Sequence, residues 1–219
     1  RNPAHLAKML STLDVISKGR VIAALGAGSF PGEYEAYNIP LLDHDGRVEY
    51  MREVVELFKQ LWSRPGPDRV TYEGKHVRTK DLAFAPAPVQ RPLPIWLGGE
   101  SDATLSVVKG LADGWVMHAP DWPKDRPIDV VRMIRLFVGE SRQQAVDAAA
   151  KSWEKNPVGV GGAAQTFEDF AAREIVGDAE ECLARVQALA DGGATYLRLA
   201  FDDLAMQERA ARLVVAKAG

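Results

Sequence analysis

Residues 92–101 read PLPIWLGGES, an apolar strand-like run that stops at Gly98 and Gly99 and passes through Glu100 and Ser101 into the helix-like SDATLSVVKGLADG. Two glycines let a backbone come close to a ligand. The start of a helix adds free N–H groups and the positive end of its dipole. Gly98, Gly99, Glu100 and Ser101 are therefore candidates for holding an anion such as a phosphate. The same four residues also suit a tight turn in which Ser101 does no more than cap the helix. No Lys-Ser/Thr follows and no GxGxxG is present, so the pattern is neither a P-loop nor a dinucleotide fingerprint.

A second stretch, LGAGSFPGEYEAYNIPLLDHDGR, leaves another buried run at Gly26, Ala27 and Gly28. Gly26 and Gly28 free the space above the strand, and the loop beyond carries Glu33, Tyr34, His44 and Arg47, all able to hydrogen-bond a ligand. Each also has a plainer reading: Glu33 and Tyr34 as surface residues, His44 as part of the cap of the next helix. His118 follows the run GWVM, where an imidazole can handle a proton near neutral pH or serve as a polar loop residue. His5 and His76 fall elsewhere and read as structural. Cys182 sits on the apolar side of its helix and reads as core. No HExxH, Cys cluster or paired His–carboxylate spacing suggests a metal, and no GxSxG suggests a nucleophile elbow.

Elements of alternating type must position these residues. Residues 3–18 show an apolar face of Leu6, Met9, Leu10, Leu13 and Ile16 ended by Gly19. An amphipathic helix follows the loop, with Val48, Met51, Val55, Phe58 and Trp62 on one face. VTYEGKHVR reads as a hairpin turning at Glu73-Gly74. It precedes its strand, which predicts a structural role at the end away from the ligand. PIDVVRM reads as a helix running into a strand IRLFVGE. Ser141 with Gln144, and Asp178 with Glu181, read as helix caps. Gly-rich residues 157–165 suit either a mobile lid or a connector. Five buried runs alternate with helices, the mark of a parallel α/β sheet, either doubly wound or part of a (β/α)8 barrel. In both, ligands sit beyond the C-terminal strand ends.

Composition narrows the classes. The 219 residues are 47% hydrophobic and 26% charged, and the net charge is −3 from 27 Lys+Arg and 30 Asp+Glu. No basic block suggests a nucleic-acid surface. No apolar run approaches the ~20 residues of a membrane helix, and no signal peptide is evident. One cysteine allows no internal disulfide, so a cytoplasmic protein is expected.

The ordered stretches LAKMLSTLDVISKGRVIAALGAG, GEYEAYNIP, DHDGR, EVVELFKQLW, YEGKHV, PVQRPLPIWLGGES, LADGW and REIVGDAEECLARVQALADGGATYLRLAF resemble the bacterial-luciferase-like monooxygenase family, which includes deazaflavin users. The resemblance implies a (β/α)8 TIM barrel forming a single domain over 1–219, with the first three βα units absent. It implies a cofactor at the strand C-termini, reduced FMN or alternatively coenzyme F420. Gly98, Gly99, Glu100 and Ser101 would cradle its phosphate, and Gly26, Ala27 and Gly28 would face the ring. His44, Arg47 and His118 would be the polar catalytic groups. The implied activity is a flavin-dependent monooxygenation of a small organic substrate, with an F420-dependent hydride transfer or a non-catalytic flavin-binding member as alternatives. A separate flavin reductase and a homodimer or homotetramer are implied partners.

Two departures stand beside the resemblance. The family motif continues Arg-Tyr where this chain has Arg47-Val48. VVRMIRLF runs from helix to strand with no turn residue, where the family has a longer helix and a polar turn. A physical protein longer at its N-terminus would account for the missing units, and its intact mass would exceed 23.9 kDa.

Overall fold

The computed structural model describes residues 2–63, 66–117, 128–156, 158–159, 162–163 and 166–215. The chain divides into two units, Arg1–Trp115 and Val116–Gly219.

In the first unit, helix α1 (Pro3–Ser17) starts at Asn2, whose side chain caps His5 N, with proline at the first helical position. The expected apolar face of α1 is not the buried one. Ala7, Ser11 and Asp14 are buried, whereas Met9, Leu13 and Ile16 are exposed. The reason is polar: the Asp14 carboxylate accepts N–H donors from Val89 and Gln90 and the Gln90 side-chain amide at 2.8–2.9 Å. Burial alone would raise the Asp14 pKa; these bonds, Gln90 foremost, bring it below its ordinary value.

Strand β1 (Ala23–Gly26) leads to a short helix α2 (Pro31–Ala36) inside the expected loop, then to α3 (His44–Ser63). The α3 periodicity holds. Val48, Met51, Val55, Phe58 and Trp62 are all buried, and the Phe58 and Trp62 rings meet at 4.9 Å. Side chains such as Leu57, Phe58 and Leu61, fully enclosed, stabilise the fold by about 1.5–3 kcal/mol each. Trp62 Nε1 donates to Ala7 O at 3.3 Å, tying α3 to α1. Strands β2 (Gly66–Glu73) and β3 (Arg78–Phe84) form the antiparallel hairpin. Strand β4 (Ile95–Gly98) lies parallel to β1, α4 (Asp102–Leu111) follows, and β5 (Gly114–Met117), whose first two residues end this unit, neighbours β4.

In the second unit, β6 (Asp129–Val138) is one strand of 10 residues, so the helix expected over PIDVVRM is a correction. Seven of its residues are buried, among them β-branched Val130, Val131 and Ile134, the profile of a parallel strand covered on both faces. Then come α5 (Arg142–Lys155), β7 (Val158–Gly159), β8 (Gly162–Ala163), α6 (Phe167–Arg173), β9 (Ile175–Gly177), α7 (Ala179–Asp191), β10 (Tyr196–Ala200) and α8 (Leu204–Leu213). Both β10 and β9 pair with β6 in parallel, along its first and second halves. Ser141 caps α5, while the Gln144 side chain bonds the Glu140 N–H rather than closing a box. Asp178 and Glu181 form a complete capping box on α7. The core gathers Leu136, Phe137, Phe170, Ile175 and Cys182.

Candidate active site

Strands β1 and β4 run in register from Ala23↔Ile95 to Gly26↔Gly98. The two glycine-rich exits, far apart in the chain, thus leave the sheet side by side. A Cβ on Gly26 would meet no atom within 4 Å, so the strand end is open. Gly28 takes φ +78° and Gly99 φ +131°, conformations that favour glycine. A side chain at Gly28 would strike the Tyr34 ring, and one at Gly99 would come 2.8 Å from Thr104 Cγ2.

Ser101 realises the capping role. Its Oγ accepts from Thr104 N at 3.2 Å and donates to Thr104 Oγ1 at 3.0 Å. Trp115 Nε1 donates to Gly99 O at 2.9 Å and braces the turn. Asp102 in the first turn places one negative charge at this helix end, where it complements the dipole. Glu100 is exposed beside it.

The loop after β1 folds back on itself. Arg47, near the start of α3, donates from Nε to Gly28 O at 3.2 Å and from Nη1 to Leu42 O at 2.6 Å. Tyr34 OH donates to Ala27 O at 3.3 Å. Between loop and helix lies a cavity of about 510 Å³, lined by residues that include Ala27, Gly28, Tyr34, Tyr37, Ile39, Leu42, Arg47, Tyr50 and His76. Such a volume lies within the usual ~300–1,000 Å³ of small-molecule sites. Burial, and next the neighbouring Tyr34, push the Tyr50 phenol above its ordinary pKa, so it stays neutral.

His76 enters this cavity from the hairpin. Its Nε2 lies 3.1 Å from Glu49 Oε2, its side chain is 16% exposed, and its ring meets Tyr50 edge-on at 6.3 Å. Glu49 also accepts from Lys75 Nζ at 2.7 Å; Lys75, then His76, hold the Glu49 carboxyl below its usual range. Buried Glu53 accepts the backbone N–H groups of Lys75, His76 and Val77 at 2.8, 2.9 and 2.8 Å. Burial would raise the Glu53 pKa; the bonds from His76, Val77 and Lys75 bring it below the ordinary carboxylate value.

The structure therefore joins Ala27, Gly28 and Arg47 in one cavity and places Gly26 and Gly98 as strand partners. His44 opens α3 with Nδ1 3.0 Å from Asp45 Oδ1 and a side chain 52% exposed; it is not among the cavity residues. His118 lies outside the described residues, as does much of 157–165. His76 is the residue that sequence reasoning set aside. A hairpin that precedes its strand is expected at the opposite end of the sheet, but its tip is fixed by Glu49 and Glu53, in the first half of α3. Arg47, two residues before Glu49, ties the first turn of α3 to Gly28 just after β1. The signal available in the sequence was the run EGKH at the turn, facing a helix start rich in Glu.

Comparison with known proteins puts this geometry in context. A family model described as luciferase-like monooxygenase matches residues 1–196. The FMNH2-dependent dimethylsulfone monooxygenase of Pseudomonas putida is 34% identical over 51% of this chain, a match spanning only 30% of that protein's length. The F420-dependent glucose-6-phosphate dehydrogenase of Kineococcus radiotolerans is 27% identical over 90% of the chain and 67% of its own length. Among solved structures, an F420-dependent tetrahydromethanopterin reductase from Methanopyrus kandleri superposes with a TM-score of 0.73 at 19% identity, over 100% of this chain and 80% of the other. A long-chain alkane monooxygenase superposes at 0.74 with 16% identity, over 99% and 66%. These likenesses select the luciferase-like TIM-barrel fold over a doubly wound open sheet. Among the described residues no helix is long and apolar enough to cross a membrane.

Proposed function

The chain belongs to the luciferase-like monooxygenase family, a family of flavin- and F420-dependent oxidoreductases, and from that premise we propose that it binds reduced flavin mononucleotide and uses oxygen to oxidise a small organic substrate. The observation that carries this is the in-register pair Gly26 and Gly98, with open space where a Gly26 side chain would stand. A flat ring fits over a strand end without side chains, and the adjoining glycine turn suits a phosphate.

The residues assigned to the cofactor are Gly26, Ala27 and Gly28 toward the ring, and Gly98, Gly99, Glu100 and Ser101 toward the phosphate through their backbone N–H groups. When bound, reduced flavin supplies the electrons that activate oxygen. The protein does the rest by positioning. Gly99 keeps the turn low, Ser101 and Trp115 hold its shape, and the α4 dipole favours an anion at that end. Arg47 locks the loop to Gly28 and Leu42 and so shapes the wall that excludes water. His44, Arg47 and His118 remain the proposed polar groups for the substrate. A separate reductase would renew the flavin, and residues 1–219 would form one domain.

Titration of the protein with FMN and with F420, followed by absorbance, tests the reading. FMN binding, and oxygen uptake on adding dimethyl sulfone with a flavin reductase, are expected. Binding of F420 alone would transfer the assignment to hydride transfer, which the 27% identity over 90% of the chain to an F420-dependent dehydrogenase favours as the second reading. Binding of neither would defeat both.

A further inference from the structure

We propose that His76 is a ligand-contacting residue of the cavity beside β1, with Glu49 and Glu53 as its positioning residues, and that the ligand is a small molecule with an apolar body and one oxygen-bearing head. The proposal deepens the oxidoreductase reading and rests on it, but its test does not pass through the cofactor.

Three observations converge. First, the hairpin tip is fixed rather than draped. Glu53 gathers three consecutive backbone N–H groups, those of Lys75, His76 and Val77, and Glu53 itself is only 2% exposed. A carboxylate buried in α3 and saturated by donors from one turn sets the position of the His76 backbone. Gly74 completes the fit, since a Cβ there would strike the Glu53 carboxylate.

Second, the ring is fixed as well. Glu49 holds Nε2 at 3.1 Å, and Tyr50 packs edge-on against the imidazole. A carboxylate on one ring nitrogen selects the tautomer with its proton there. In the neutral ring Nδ1 is then the acceptor. Glu49 shares its charge with Lys75, so it is not spent on His76 alone. The charged and titratable groups around the imidazole are thus Glu49, Glu53, Lys75 and Tyr50, with Glu33 and Arg47 on the cavity wall.

Third, the cavity has two kinds of wall. Tyr34, Tyr37, Ile39 and Leu42 present carbon surface, while Arg47 and His76 supply polar groups. Phe30 and Leu41 extend the apolar character outward as exposed neighbours on the same loop, 64% and 46% exposed. Apolar body and polar head is the division such a lining recognises.

The test uses hexanol and hexanoate as probes, a neutral and an anionic head on one apolar chain. NMR follows the His76 ring, its signals assigned by their loss in His76→Gln, and calorimetry gives affinities. The expected result is a shift of the His76 ring signals on saturation and binding weaker by about tenfold in His76→Gln, the cost of one good hydrogen bond. Glu49→Gln, which preserves shape but no longer holds the proton on Nε2 with a charge, should change the His76 ring nitrogen signals that report the tautomer and weaken binding too, with the fold intact; a purely structural role would leave the tautomer signals alone. Preference for hexanoate would put the Arg47 charge at the head, and preference for hexanol a hydrogen bond alone; both support the proposal. Circular dichroism of each variant checks that it folds. Failure of both probes to bind, ring signals that stay put, or affinities within twofold in a folded His76→Gln overturns the proposal. FMN and F420 titration of the unsubstituted protein reports separately on the oxidoreductase reading.

Discussion

Gly26 and Gly98 stand opposite each other as the last paired residues of two parallel strands, and beyond its chain neighbours nothing lies within 4 Å of where a Gly26 side chain would begin. That vacancy belongs to the surface and not to packing. Gly26→Val should leave thermal unfolding almost unchanged, since valine suits a strand. It should weaken FMN binding by about tenfold or more if the ring lies there, an effect of about 1.4 kcal/mol or above. Paired melting and flavin titrations of the variant separate the two effects; unchanged flavin affinity would remove Gly26 from the site.

Glu53 gives the first unit an acid-sensitive clamp. Its pKa in the fold lies below the ordinary 4.5, so its stabilising effect is complete above that value and fades as pH falls through the folded pKa. Urea unfolding from pH 7 to pH 3 should show stability dropping below about pH 4.5. Glu53→Gln should flatten that drop. It should also destabilise the protein at pH 7 by about 1–3 kcal/mol, because an amide cannot accept three N–H donors as a carboxylate does.

Gly74 meets the same carboxylate. Gly74→Ala should push the Glu53 side chain or the hairpin tip out of place and cost about 1–3 kcal/mol, the range for overpacking. Hydrogen exchange at Lys75, His76 and Val77 should quicken in this variant, since their N–H groups lose the Glu53 acceptor. Unchanged protection at all three would contradict the clamp.

The outward face of α1 makes a counter-intuitive case. Ile16 is 71% exposed, so Ile16→Lys should change the unfolding free energy by less than about 0.5 kcal/mol. Asp14→Asn, by contrast, alters a carboxylate that accepts from Val89 and Gln90; it should destabilise by about 1–3 kcal/mol. Chemical denaturation of the two variants side by side decides which face of α1 is the packed one.

Cys182 is enclosed in the second unit, and burial, followed by Asp178 and Glu181, pushes its thiol up to about 12. It should resist a thiol-specific disulfide reagent at pH 8 in the native protein and react fully in urea. Fast native labelling would show that the helix α7 opens readily.

Legibility differed from element to element for physical reasons. The α3 stripe was plain because its apolar residues repeat at helical spacing, whereas buried Glu53 in the same helix gave no local sign of its partners on the hairpin. The Asp178–Glu181 box was plain because both partners are local. The faces of α1 were misread because its orientation depends on Asp14 reaching Val89 and Gln90, partners much later in the chain. The second half of β6 is legible as the run IRLFV, but its first half, residues 129–133, is not, for a similar reason: β10, which pairs with it, comes much later in the sequence. The glycine exits were visible as glycines, but their adjacency was not.

By itself the sequence determined which segments coil, which extend and where chain must pass without side chains, because those properties depend on neighbours a few residues away. Tertiary structure alone decided that Gly26 stands beside Gly98, that a buried glutamate holds the hairpin tip, and that His76 rather than His44 lines the cavity beside β1. Each of these arises from hydrogen bonds between distant segments, and no local pattern encodes a partner that distant.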